Sequence, residues 1–367
     1  MKKVFASIII FTIAFILLSA DVYAFSLSVD PPSFKIKVKP GTSSTGTIKV
    51  KNEGDAEIGI KAYLGDWVFA PDGGKTFKAP ATTVYSATQW VTISPDFLTL
   101  QPKEVKDVNY TIKFPENIQG GKVTVIFFET ALGTAENEEG MTVKLAGRIG
   151  VIGYIEAENA SNRIGEITKL EVSRPDENKP LTIKLKFKNT GDTYTLAKAT
   201  ANIIDQDGNV YGNIEIDKIN TLPGDEIEKE GSWMGQLPEG QYDLIVTIDM
   251  GEENIPVISE SKIIVTKSAE ITDLNANSLP EKTDVSLNLK NTGNLTMDFS
   301  EGNIEILNVS GAVVAKERLQ RTILLPDTAK EIKSSLSGGL VKGKYKVVVK
   351  LTYDDKVLQK ETTIEIR

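Results

Sequence analysis

Two stretches of this chain carry residue types that could do chemistry. Asp205-Gln206-Asp207-Gly208-Asn209 opens like a calcium loop, in which carboxylates and carbonyls wrap a hard cation. The twelfth position of such a loop needs a bidentate glutamate, and Ile216 stands there. Flanked by Ile203-Ile204 and Val210-Tyr211, the Asp-Gly pair instead predicts a hairpin turn. Ser259-Glu260-Ser261-Lys262 has the Ser-x-x-Lys spacing of serine acyl enzymes, which place both side chains on one face of a helix. The run Val257 to Ile264 reads as a strand, where a spacing of three sends them to opposite faces. A sugar-processing cleft would have Trp67, Trp90, Asp66 and Asp72 to draw on. The chain has no histidine and no cysteine. Ser-His-Asp and Cys-His catalysis and the usual zinc sites are thereby excluded. The expectation is a non-enzymatic protein without cofactor or metal.

The elements that would position any site come from a repeat. Lys188-Asn189-Thr190-Gly191 is followed by Leu222-Pro223-Gly224-Asp225 and Gly240-Gln241-Tyr242. Lys290-Asn291-Thr292-Gly293 is followed by Leu325-Pro326-Asp327 and Gly343-Lys344-Tyr345. Asn189 and Pro223 are 34 residues apart, and Asn291 and Pro326 are 35 apart. Lys51-Asn52-Glu53-Gly54, with Leu100-Gln101-Pro102 downstream, starts a longer variant. A period of about a hundred residues built from short alternating strands predicts tandem immunoglobulin-like β-sandwiches. The Asn-x-Gly motifs read as strand-ending turns, and Tyr242 and Tyr345 as sandwich corner tyrosines.

Lys2 and Lys3, the apolar run Val4 to Leu18 and Val22-Tyr23-Ala24 have the pattern of a secretory leader. The layout expected is a signal peptide at 1–24, a sandwich with an insertion at 25–157, and sandwiches at 158–267 and 268–367. The apolar run is shorter than the roughly 20 residues of a membrane span, so the mature chain is expected to lack one. Extracytoplasmic residence follows, whether periplasmic, cell-surface or secreted. The net charge of −8 gives no basic face for nucleic acid and reads as solubility. The linker Lys267-Ser268-Ala269-Glu270 is too short for free motion, so the last two sandwiches should be stacked.

Two strands break the one-faced pattern. Val123, Val125 and Phe127 alternate with Ile126 and Phe128, and Ile149 to Ile155 is apolar on both faces. A half-buried strand needs one apolar face, so something must cover the second, either the next domain or a partner.

The run Trp90 to Pro102, containing Ser94-Pro95-Asp96-Phe97-Leu98-Thr99-Leu100-Gln101-Pro102, resembles a recurrent motif of pilus chaperones in the PapD-like superfamily. It is also similar to the N-terminal domains of WxL-interacting surface proteins. Pro40-Gly41, Val50-Lys51-Asn52 and Gly120-Gly121-Lys122-Val123 fit the same pattern, over roughly residues 28–157. The later domains resemble generic adhesion-type immunoglobulin-like modules. The resemblance implies a PapD-like sandwich. Pilus chaperones lend an alternating apolar strand to an incomplete subunit, and the matching strand would carry Met141, Val143 and Leu145, with Lys144 and Arg148 nearby. The expected partner-binding residues are therefore Phe127, Phe128, Met141, Val143, Leu145, Arg148 and Val151. The expected function is an envelope scaffold that binds another surface protein, or the cell wall, by edge-strand pairing. The alternative is a periplasmic assembly chaperone for a pilus-like subunit.

Overall fold

The computed structural model describes residues 27–136, 142–158, 162–251 and 254–367. The expected leader lies outside these residues. The described chain is almost entirely strand, in three sets of sheets around three separate hydrophobic cores.

The first set comprises β1 (Leu27–Asp30), β2 (Ser33–Val38), β3 (Ser43–Asn52), β4 (Ile58–Phe69), β5 (Lys75–Lys78), β6 (Val91–Ser94), β7 (Phe97–Leu100), β8 (Val105–Lys113), β9 (Gly121–Glu136) and β10 (Thr142–Ala157). One sheet runs β1-β3-β8-β6. The other runs β2-β10-β9-β4-β5, with β7 also on β4. The second set comprises β11 (Gly165–Val172), β12 (Leu181–Asn189), β13 (Thr195–Asp205), β14 (Val210–Thr221), β15 (Glu226–Trp233), β16 (Gly240–Asp249) and β17 (Val257–Val265). Its sheets are β11-β12-β15 and β14-β13-β16-β17. The third comprises β18 (Ala269–Ser278), β19 (Lys282–Asn291), β20 (Met297–Phe299), β21 (Glu301–Leu307), β22 (Val313–Leu319), β23 (Thr322–Leu324), β24 (Ala329–Ser337), β25 (Gly343–Tyr353) and β26 (Lys356–Ile366). Here β18-β19-β24 faces β22-β21-β25-β26, with the small pair β20-β23.

Alternation sets the register. Leu181, Ile183, Leu185 and Phe187 of β12 all point into their core, as do Val285, Leu287 and Leu289 of β19. A one-residue slip of β12 would expose four such side chains at about 1.5–3 kcal/mol each. That loss is comparable to the whole net stability of a domain. Both corner tyrosines form: Tyr242 donates its hydroxyl to the Pro238 carbonyl and Tyr345 to the Val341 carbonyl, each at 2.9 Å.

Backbone contacts divide the chain into two compact units. The first contains Met1–Ile164 together with Asn189–Thr195 and Asn220–Gly224, and the second contains the rest. This division gives the repeated turns a second role. In each copy the Asn side chain is fully buried and clips the turn. Asn52 Nδ2 donates to the Ala56 carbonyl, Asn189 Nδ2 to Thr193 and Asn291 Nδ2 to Leu295. The two later turns then hold the incoming chain in the same way. Within the first unit, Thr190 and Gly191 donate N–H to the Ile164 carbonyl (3.0 and 2.9 Å) and Asp192 to Asn162 (3.1 Å). Within the second, Thr292 and Gly293 donate to Ser268 (2.9 and 3.0 Å) and Asn294 to Thr266 (2.8 Å).

The second and third sandwiches are locked further inside their shared unit. Arg174 reaches the carbonyls of Thr292 (2.7 Å) and Gly293 (2.9 Å) and pairs with Asp327 of the Leu-Pro-Asp turn. Asn294 Nδ2 donates to the Pro175 carbonyl at 3.0 Å, and Leu295 packs against the second core. Arg174 thus ties together two motifs of the repeat, and the short linker is stacked as expected.

The third sandwich carries carboxylates held below their ordinary range. Lys316 and then Lys350 hydrogen-bond Glu305, at 2.7 and 3.2 Å, and hold its pKa below the usual 4.5. Arg321 does the same to Asp298, and Ser335 with Lys282 to Asp284. A depressed folded-state pKa adds stability that is present above the unfolded value and is lost as pH falls through the folded one. Unfolding of this sandwich by urea should therefore become easier as pH falls below about 4.5, and Glu305→Gln should flatten that dependence. An identical pH profile for Glu305→Gln and wild type would refute the assignment.

Candidate partner-binding site

The strands with two apolar faces are β9 and β10. Their inner face, with Ile126, Phe128, Val151 and Ile155, forms the core of the first sandwich. Phe128 and Val151 are fully buried there and have no surface to offer a partner. The outer face is covered from within the first unit, largely by the extra segment between Tyr63 and Leu100. Odd-numbered residues of β4 share this face beside β9: Trp67 is fully buried, donates Nε1–H to the Thr124 carbonyl at 3.0 Å, and meets Phe69 and Tyr154 edge-on. At one end Tyr194 packs on Tyr154, with ring centroids 4.7 Å apart. The buried Glu156 pairs there with Arg163 and accepts the Thr193 hydroxyl at 2.8 Å.

At the other end the cover is thinner. Phe127 is buried beneath Phe77 and the Arg148 guanidinium, which stands 4.2 Å from its ring centroid. Arg148 also donates to the Tyr63 hydroxyl at 3.2 Å, and that hydroxyl donates to Glu129 at 2.6 Å. Burial, with Glu129 as its acceptor, pushes the Tyr63 pKa up, so this phenol stays neutral. Arg148, Phe127 and Tyr63 form one rigid cluster. Only Arg148 of the group had been expected at a partner surface and remains exposed.

The remaining expected residues lie along β10. This strand pairs β9 from Thr142 to Glu156, with a register shift at Leu145/Ala146. Its other edge pairs β2, in parallel, only over Ile152 to Ala157. Among the described residues no strand pairs that edge from Thr142 to Val151. Leu145 is 45% exposed on it. Val143 lies on the same stretch, and Met141 falls outside the described residues.

The sites considered for chemistry resolve as structural. Asp205 closes the β13–β14 hairpin: its Oδ2 accepts the Asn209 side-chain Nδ2 (2.9 Å) and its Oδ1 the N–H groups of Asn209 (2.8 Å) and Asp207 (2.9 Å), bonds that lower its pKa, the Asn209 side chain foremost. Ser259 and Lys262 lie on β17, with Lys262 paired to Asp243. The Asp66 carboxylate is fully buried and saturated, taking N–H from Thr82 and Thr83 (2.9 Å each) and the Ser86 hydroxyl (2.6 Å). With Trp67 also buried, no sugar cleft forms from these residues. No group of three His, Cys, Asp or Glu able to hold a metal occurs among the described residues. No described helix is long and apolar enough to cross a membrane.

The solved structures to which the chain is similar include fimbrial chaperones and a PapD-like domain. The chain is similar to the solved chaperone–tip adhesin complex of CFA/I fimbriae at 15% identity, covering 64% of this chain and 98% of that one, with a TM-score of 0.36. It is similar to the Salmonella enterica SafA pilin in complex with the SafB chaperone at 13% identity, 65% and 97% coverage and a TM-score of 0.29. The PapD-like domain of human CEP192 matches at 16% identity, 38% and 92% coverage and a TM-score of 0.24. No family model and no curated protein matches the chain.

Proposed function

We propose that this is a non-enzymatic, extracytoplasmic protein that binds an extended strand of a cell-envelope protein along the open edge of β10. The observation that carries this reading is the unpaired stretch Thr142 to Val151, lying in line with β2 on the same edge. An unpaired edge presents backbone N–H and C=O groups at strand spacing, and an incoming strand satisfies them while side-chain pockets select it. Lys144, Arg148 and the register shift at Leu145/Ala146 are features that keep such an edge from pairing indiscriminately. The leader pattern at residues 1–24 supports export. The narrower form of the reading is an assembly chaperone for a surface subunit. A wall polymer offers no strand to this edge and is set aside.

A photo-crosslinking residue introduced at Leu145 of the full chain, in intact envelopes, tests this. A discrete protein adduct is expected at Leu145 and none at the exposed Val357. Equal adducts at both positions, or none at Leu145, would remove the β10 edge from the function. If the captured protein is degraded when this chain is deleted, the role is a chaperone's. If it persists but leaves the surface, the role is a scaffold's.

A further inference from the structure

A groove of about 960 Å³ opens on the first sandwich where β4 and β6, which belong to different sheets, face one another. On β4, pairing with β7 ends at Lys61 and pairing with β5 begins at Asp66. Residues Ala62 to Gly65 therefore have β9 on one side and no strand on the other. β6 pairs β8 on one edge and no described strand on its other. Asp96 closes one end, its carbonyl accepting the Ala62 N–H at 2.7 Å. Between the two edges the lining is apolar: Leu64 and Ile93 are partly buried against the first core, and Phe77 is 40% exposed. Two short open edges flanking an apolar floor suit an extended chain, with backbone groups to pair and small side chains to bury.

Charge selects the composition of that chain. Lys61, Lys78 and Arg148 line the groove against the single carboxylate of Asp96. None of the three cations forms an ion pair among the described residues, although the whole protein carries −8. Unpaired cations at the rim of a groove favour an anionic ligand and repel a basic one. We propose that the β4–β6 groove binds an extended acidic peptide segment of a partner protein, in which carboxylates alternate with small apolar side chains. Lys61 and Lys78 take the carboxylates and Leu64 and Ile93 the apolar residues. The groove shares Arg148 with β10, but the variants below leave Arg148 and the β10 edge intact, so the two assignments are tested separately.

The test is fluorescence anisotropy with the full-length protein and a labelled nonapeptide alternating Glu and Val, against the same peptide with Gln for Glu. The Glu peptide is expected to bind at least about tenfold more tightly than the Gln peptide at low salt. Lys61→Glu/Lys78→Glu should abolish that preference while leaving thermal unfolding unchanged, since both side chains are exposed. Equal binding of the two peptides, or full binding by the double variant, would overturn the proposal. Competition by polygalacturonate as effective as by the Glu peptide would reassign the groove to an anionic glycan and equally overturn it.

Discussion

Replacing Trp67 by alanine should cost the first unit about 3–5 kcal/mol. The indole is fully buried, with Phe69 and Tyr154 edge-on at 5.0 and 5.2 Å and Lys75 over its ring at 5.3 Å. Its removal opens a cavity on the outer face that β4 shares with β9 and β10. It also takes away the donor that serves the Thr124 carbonyl. The loss exceeds that of an ordinary core truncation because one side chain both fills the layer and satisfies a buried polar group. Urea unfolding followed by Trp90 fluorescence, in a Trp233→Phe background that silences the second sandwich, should show the midpoint moving down strongly. The outer face of β10 should loosen with it, since Tyr154 of β10 packs edge-on against the Trp67 ring. A loss below about 1 kcal/mol would mean that the outer face is held by something other than the extra segment between Tyr63 and Leu100.

The second large effect is expected at Gly293. A Cβ there would stand 2.4 Å from the Thr266 carbonyl oxygen and 2.7 Å from the Ser268 nitrogen, both backbone atoms that cannot swing aside. Gly191 repeats the situation in the first unit, with the Asn162 carbonyl oxygen at 2.2 Å. Gly293→Ala should cost about 2–3 kcal/mol and break the three hydrogen bonds from Thr292, Gly293 and Asn294. Amide exchange at those three positions should accelerate, and proteases should gain access near Ser268. Gly240→Ala, whose added Cβ would meet nothing closer than 3.4 Å, provides the control. Unchanged exchange in Gly293→Ala would show that the turn does not hold the second and third sandwiches together. Arg174→Ala should give a smaller loosening at the same place, since it removes one arm of the clamp and leaves the backbone bonds.

The strands, their facing and the repeat were legible in the order of residues, because alternation with a period of two and the Asn-x-Gly and Leu-Pro turns are local properties. The hairpin at Asp205, the corner tyrosines and the strand placement of Ser259 and Lys262 followed from the same local rules. The repeated motif was legible as a turn but not as a joint. Thr190, Gly191 and Asp192 bind carbonyls of the incoming chain, and only their close approach in space reveals why glycine must stand there. The apolar second face of β9 and β10 was likewise visible as a pattern, while its cover was not. Phe127 and Phe128 are equally apolar in sequence, yet one lies under Phe77 and Arg148 and the other deep between the sheets.

The same holds for the candidate sites. Leu145 and Arg148 could be singled out as alternating and charged, but whether β10 has a second neighbour depends on where β2 stops pairing. The groove between β4 and β6 has no linear signature at all, since it arises from strands of two sheets failing to meet. Periodicity determines which way a side chain points, because that depends on the two or three residues around it. Which surfaces end up covered, and which backbone edges stay open, is decided by segments far apart in sequence, such as β2 and β10, and only the tertiary structure brings those together.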